Sequence, residues 1–329
     1  MHECHATAEP DELFETGSLK HLVPGNEGRV LDGRRTPGYI ESFDPESCMF
    51  IWRITAFEDA GKCWEIPAEQ IEQYQFRKSC STLSRAAVEK LSAQCKAYQK
   101  QLTIPVTSQS QAAARVSIAK QELQTAAWLK EHSRFIQKGK RFDFHAATGD
   151  PDLYCDLEEY MRAQKLYDLE QKTASQYLLN PYSGEWIKGM KIVMAEAGLI
   201  SYSGSVPRTP DIFQGIGAKE LRWNYILART AFLRSVFKLS GILEVPLYRG
   251  MASSSDWIKT PPTLLSATFS ADTAKDFCGM DDPGLYRSCY WIKFFCPVEN
   301  LFMTFYETKE LNERYKEQEA IIYYQAPLT

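Results

Sequence analysis

Apolar and polar positions change rhythm three times along this chain. Over residues 27–76, short β-branched and aromatic runs (30–31, 39–40, 49–54, 63–66 and 71–76) alternate with turn chemistry at Asp32-Gly33, Asp44-Pro45 and Asp59-Ala60-Gly61. That spacing predicts a small β-barrel-like domain over 25–78, loosely similar to Src-homology-3 or Tudor-type barrels, after an irregular, polar lead-in over 1–24. Trp52, Trp64 and Tyr39 are the aromatics such a barrel would offer a protein partner. In a domain this small, a large aromatic more often serves the core.

The second rhythm is helical. Val88, Leu91, Cys95 and Tyr98 recur at spacings of three and four, Pro105 interrupts, and Ala112, Val116, Ala119, Leu123 and Ala127 resume the pattern. Two helices are therefore expected in a connector over 79–140, with Lys138-Gly139-Lys140-Arg141 as a helix end. Asp150-Pro151 is a strong helix start, a capping aspartate before a proline at the first helical position. The helix it opens carries Leu153, Leu157, Met161 and Leu166 and runs towards Tyr167. A further helix is expected over 186–197, stopped by Gly198. The Ser-, Gly- and Pro-rich stretch 201–217 reads as a long surface loop. Residues 218–239 then predict a helix with Leu221, Tyr225, Ala228, Phe232, Val236 and Leu239 along one face.

After that helix the chain turns to short apolar strands, at 243–249, 264–269, 289–295, 301–306 and 319–325. A short helix capped by Ser270 interrupts them. Strands following helices point to an α+β domain, and the whole of 141–329 is expected to form it, with a core over 218–329.

Three blocks in this last part carry chemistry in a fixed order. Leu247-Tyr248-Arg249-Gly250 ends an apolar strand in one arginine, a permanently charged forked donor suited to phosphate. Gly250 would let the backbone pass close to a ligand. Next come Ser266-Ala267-Thr268, with Ala274 and Phe277 downstream, Phe277 being expected in the core. Third is Glu317-Gln318-Glu319. On a strand, positions i and i+2 point the same way, so both carboxylates can face one cleft. A carboxylate beside a sugar C1 stabilises an oxocarbenium-like transition state. Expulsion of an already cationic leaving group needs no acid to protonate it, and a neighbouring serine can hold the carboxylate in place.

The order arginine, then Ser-x-Thr with a downstream Ala-x-x-Phe, then Glu-x-Glu resembles the Arg-Ser-Glu class of mono-ADP-ribosyltransferase toxins and effectors of bacteria. The likeness covers roughly residues 200–329. It implies an ADP-ribosyltransferase-like mixed α/β domain with a split β-sheet core and NAD+ as co-substrate, with no metal. It further implies transfer of ADP-ribose, with release of nicotinamide, to a side chain of a protein target, expected to be a host protein. By the same resemblance Glu319 and Glu317 are catalytic with Ser266, the former at the nicotinamide ribose and the latter at the acceptor. Arg249, Gly250, Ser266, Thr268, Tyr286 and Arg287 would bind the dinucleotide, the last two from the loop 278–287. Phe305, Tyr306 and Tyr315 would recognise the protein substrate, and a Glu-x-Glu pair leans towards arginine as acceptor. Family members read Ser-Thr-Ser where this chain reads Ser266-Ala267-Thr268, so the middle hydroxyl is missing. Two other readings accompany this one: an NAD+ glycohydrolase with water as acceptor, and an inactive transferase-like half carried by a binding protein that works through its N-terminal barrel. The His-Tyr-Glu polymerase branch is disfavoured, since no histidine follows His145.

Composition narrows the setting. The 329 residues are 44% hydrophobic and 24% charged, ordinary for a soluble protein, and a net charge of −4 argues against general nucleic-acid binding. Nine cysteines without a Cys-x-x-Cys pair read as reduced thiols. His2, Cys4 and His5 read as a solvated tail rather than a metal site. No apolar run suffices for a membrane span, and the N-terminus lacks the pattern of a Sec signal. The expected location is the cytoplasm, or a host cytosol reached without a Sec signal.

Overall fold

The structure, a computed structural model, describes residues 11–31, 35–57, 59–174, 184–208, 210–253, 263–278, 288–313 and 316–324. It is mixed α/β with antiparallel sheets, consistent with the α+β expectation. The chain divides into two compact units: Met1–Leu102 with Ser205–Thr209, and Thr103–Gly204 with Pro210–Thr329.

In the first unit, β1 (Phe14–Thr16), β2 (Glu27–Val30), β3 (Pro37–Asp44), β4 (Met49–Ile54), β5 (Cys63–Pro67) and β6 (Tyr74–Arg77) form one antiparallel sheet. Its order is β1-β6-β2-β3-β4-β5. Alternation along the strands drives Ile40, Phe50, Trp52, Ile54, Tyr74 and Phe76 into one core, against which α1 (Arg85–Tyr98) seats Leu91 and Cys95. Trp52 is therefore a core residue, and of the three aromatics weighed as a partner surface Trp64 is the exposed one. Two sequence expectations change here. Residues 14–16, placed in the irregular lead-in, pair with β6; three residues are too few to show an alternation. Of the two connector helices, α1 packs in the first unit and α2 lies in the second.

Short strands β7 (Gln101–Ile104) and β8 (Tyr202–Ser205) stand where the chain passes between the units. In the second unit, α2 (Ser108–His132) and α3 (Arg134–Gln137) precede α4 (Pro151–Ala163) and α5 (Tyr167–Ala174). The Asp150 carboxylate accepts from the Asp152 amide at 2.8 Å, as the Asp-Pro start predicts. Lys165, in a left-handed conformation, ends the turn between α4 and α5. On α2 the buried face is not the one read from the sequence. Ala114, Ile118, Thr125 and Leu129 are buried, whereas Val116 is 71% and Leu123 76% exposed. Alanines lie all round this helix, so the face was decided by which larger residues meet α7 and not by the period alone.

Helix α6 (Glu185–Glu196) ends before Gly198, as expected. Part of the stretch expected to be a surface loop is tied down: the buried Arg222 guanidinium holds Ile212 and Gly217. That group donates to the carbonyls of Gly217 (2.7 Å), Trp186 (2.8 Å) and Ile212 (3.0 Å), and stacks on the Trp186 ring. Helix α7 (Lys219–Leu239) matches its predicted span and is buried nearly all round, arginines included. Arg229 is enclosed between Glu307 at 2.7 Å and Glu170 at 3.3 Å. The Glu307 carboxylate also accepts from the Thr304 amide at 2.7 Å and from the Thr304 hydroxyl.

Strands β9 (Glu244–Ser253), β10 (Thr263–Thr268), β11 (Ser288–Pro297), β12 (Leu301–Thr304) and β13 (Glu319–Tyr324), with α8 (Ala271–Asp276) and α9 (Glu310–Glu313), complete this unit. The sheet order is β11-β9-β10-β13-β12. Among the described residues no helix is long and apolar enough to cross a membrane.

Removing one member of a buried ion pair strands the other charge in low dielectric. Glu307→Ala is expected to destabilise the protein by about 3 kcal/mol, read from urea unfolding, with the loss confined to the second unit.

Candidate functional site

The site arises where the sheet comes apart. β11 pairs with β9 over ten successive residues, and β10 with β13 over six. Between those two halves β9 and β10 share one paired position, Tyr248 with Thr268. Beyond it the strands diverge, and a cleft of about 360 Å³ opens between Tyr248–Ala252 on one side and 266–268 on the other. Thr273, Ala274 and Phe277 of the α8 region, with Glu317 and Glu319, complete its lining. The volume lies in the usual range for small-ligand sites.

Ser266 and Thr268 are two apart on β10 and so share a face. The Ser266 hydroxyl donates to the Glu319 carboxylate at 2.5 Å, a diagonal contact across the β10–β13 ladder. Glu319 opens β13 and is 2% exposed. The Thr268 hydroxyl is used structurally. It donates to the Glu317 carbonyl at 2.5 Å and accepts from the Ser270 amide at 2.9 Å, so it ties the glutamate turn to the start of α8. A hydroxyl network is thus present here, with a bond directed to the backbone of the turn. Thr268, expected at the dinucleotide, lines the cleft as well as making these bonds.

Glu317 reaches the cleft by a route other than strand alternation. It lies before β13, between Lys316 and Gln318, whose φ angles are 54° and 49°. Left-handed conformations at two non-glycine residues are costly and persist where neighbouring contacts hold them. Here the Gln318 amide donates to Asn312 Oδ1 at 2.9 Å and the Lys316 amide to the Asn312 carbonyl at 3.1 Å. Phe269 N donates to Gln318 O at 3.0 Å from the other side. Desolvation raises the Glu317 carboxyl above the ordinary glutamate range.

Arg249 crosses the opening. One of its Nη groups donates to the Ser266 carbonyl, and the other lies 3.4 Å from Met251 Sδ, which also accepts from the Tyr290 hydroxyl at 3.3 Å. A guanidinium has five N–H donors, so these contacts leave capacity for an anion in the cleft. Gly250 lines the cleft and is also needed for packing. A Cβ there would meet the Ala274 carbonyl oxygen at 1.6 Å, so the absence of a side chain lets β9 lie against α8.

Three further expectations are corrected. Phe305 and Tyr306, assigned to substrate recognition, are buried; Phe305 packs at a tilt on Phe269, and Tyr306 meets Phe269, Phe142 and Phe144 edge to face. Together with Phe269 they form an aromatic floor in place of an exposed surface. The resemblance placed an acceptor-recognition loop before the two glutamates; Phe305 and Tyr306 instead close the core. Phe277, expected in the core, is 55% exposed and lines the cleft. Tyr286, Arg287 and Tyr315 lie outside the described residues. Asn312, missed by the sequence reading, is a lone polar residue in a polar stretch, with no periodicity to single it out.

Gly250→Ala is expected to cost about 1–3 kcal/mol by forcing β9 away from α8, seen as a lowered Tm. A parallel loss of ligand affinity would follow from the displaced Arg249. Comparison of the chain with protein-family models, with curated proteins and with solved structures finds no match.

Proposed function

We propose that this chain is an NAD+-dependent mono-ADP-ribosyltransferase of the toxin or effector type, acting on a protein side chain. One observation carries the reading. Arg249, Ser266, Glu317 and Glu319, separated by up to 70 positions in sequence, line one cleft at the split of a sheet, with Ser266 bonded to Glu319.

NAD+ is the co-substrate, and it supplies a ribose C1 whose leaving group is already cationic. Arg249 offers its free N–H groups to the pyrophosphate, for which a forked donor is suited. Glu319, held by Ser266, bonds the ribose 2′-hydroxyl in this reading and offsets the positive charge that develops at C1. The C1–nitrogen bond breaks with its electron pair leaving on nicotinamide, which departs neutral. The acceptor then bonds to C1 from the opposite face and gives its proton to Glu317. Burial suits Glu317 to that role, since a raised pKa makes a carboxylate a stronger base. Phe277 presents a ring at the cleft for a planar heterocycle.

Two tests follow. Incubation with adenylate-labelled NAD+ and a cell lysate should place label on a discrete protein band; free ADP-ribose without a band would indicate the glycohydrolase instead. The second concerns pH. Glu317 must be deprotonated to accept a proton, and its pKa is raised, so transfer should fail on acidification at a higher pH than an unperturbed glutamate would give. Glu317→Gln should lower transfer by about 10²–10⁴-fold and abolish that acid limb. A wild-type profile flat through the glutamate range would contradict the base role.

A further inference from the structure

The proposed reading gives Glu317 the acceptor's proton but leaves open what holds an unstrung carboxylate in the cleft. Glu317 is not in a strand ladder, and both its neighbours adopt the left-handed region that non-glycine residues avoid. Such a turn needs a clamp.

We propose that Asn312 is that clamp, a positioning residue that acts on the acceptor step through the 316–318 turn; the inference rests on the transferase reading. Three bonds converge on it. Its Oδ1 accepts from the Gln318 amide at 2.9 Å, and its own carbonyl accepts from the Lys316 amide at 3.1 Å. Its Nδ2 donates to the Ala147 carbonyl at 2.8 Å. The first two grip the residues on either side of Glu317, and the third ties them to a segment far away in sequence. Asn312 is 9% exposed, so water competes poorly for these bonds.

The Ala147 anchor is itself firmly placed. The Tyr306 hydroxyl donates to the Asp143 carbonyl at 2.6 Å, and the Asp150 amide donates to the Tyr306 carbonyl at 3.0 Å. The Tyr154 hydroxyl reaches the Phe305 carbonyl at 3.3 Å. Residues 143–154 thus brace the backbone that leads into the turn. Glu319 is held differently, by the β10–β13 ladder, by Ser266 and by the bond from the Phe305 amide to its carbonyl at 2.9 Å. Both glutamates lean on the β10 region, Glu319 through Ser266 and the ladder and the 316–318 turn through Thr268 and Phe269, but the Asn312 bonds reach the turn alone. Loss of Asn312 should therefore loosen Glu317 and spare Glu319, which uncouples acceptor activation from cleavage of NAD+.

The test compares wild type with Asn312→Ala and Asn312→Asp. Nicotinamide release is measured with NAD+ alone, and transfer with agmatine, a small guanidine, as acceptor. Asn312→Ala should lower transfer about 10²-fold, the effect of misplacing a catalytic group by roughly an ångström, while nicotinamide release stays near wild type. Asn312→Asp retains the oxygen facing the Gln318 amide and should keep more transfer than the alanine variant. Hydrogen exchange supplies a readout independent of catalysis. The Gln318 amide should exchange roughly 10-fold faster in Asn312→Ala, with β13 amides unchanged. Nicotinamide release falling in step with transfer, or a Gln318 amide still protected in Asn312→Ala, would overturn the clamp. A wild type that releases no nicotinamide refutes the transferase reading, and exchange at Gln318 then judges the clamp by itself.

Discussion

A β-sheet holds together by backbone pairing along its strands, and in this sheet the pairing between β9 and β10 is limited to Tyr248 and Thr268. Everything in the cleft depends on that divergence. Two well-paired halves, β11 with β9 and β10 with β13 and β12, keep the walls stiff while a gap opens between them. α8 follows β10 and lies against β9 at Gly250, where no side chain could be accommodated, so the gap is held open at a fixed width. Arg249 crosses the gap to the Ser266 carbonyl and supplies a polar contact where ladder bonds are missing. An opening in a sheet is a natural site for a ligand, because backbone and side-chain polar groups converge there on a rigid frame.

Behind the sheet, the unit carries its charges inside. Arg229 with Glu170 and Glu307, and Arg222 with three carbonyls, are buried in or beside α7. Buried ions of this kind contribute little net stability compared with apolar packing, and they are costly to break. Their effect here is geometric. Glu307 binds Arg229 on α7 and the Thr304 backbone at the end of β12, which fixes the chain just before it turns towards Glu317. The same region is lined by the aromatic rings of Phe142, Phe144, Phe269, Phe305 and Tyr306, so the glutamates sit on a floor with little freedom to move.

Strong local signals were legible in the sequence. The Asp150-Pro151 start, the stop at Gly198 and the span of α7 all follow from capping and periodicity, and β2–β6 and β9–β13 follow from short apolar runs between turns. Of the residues that line the cleft, Arg249, Gly250, Ser266, Thr268, Glu317 and Glu319 were singled out in the sequence by the resemblance, whereas Met251, Ala252 and Thr273 carry no signal of their own. What could not be read depends on tertiary partners. The buried face of α2 is chosen by α7 among many small residues, and β1 exists because β6 is there to pair with it. Phe277 and the pair Phe305–Tyr306 exchanged their expected environments, since an aromatic residue fits a core or a ligand site equally well by type. Asn312 acts through backbone amides of other residues, which leaves no side-chain pattern to find.

In the proposed reaction Glu319, held by Ser266, stabilises positive charge at the ribose of NAD+. Measuring nicotinamide release by the full chain, wild type against Glu319→Gln, tests it most directly, with NAD+ affinity determined in parallel by calorimetry. Release should fall about 10²–10³-fold with binding largely retained, because the carboxylate acts on charge that exists only in the transition state. Release by Glu319→Gln at the wild-type rate would contradict that role.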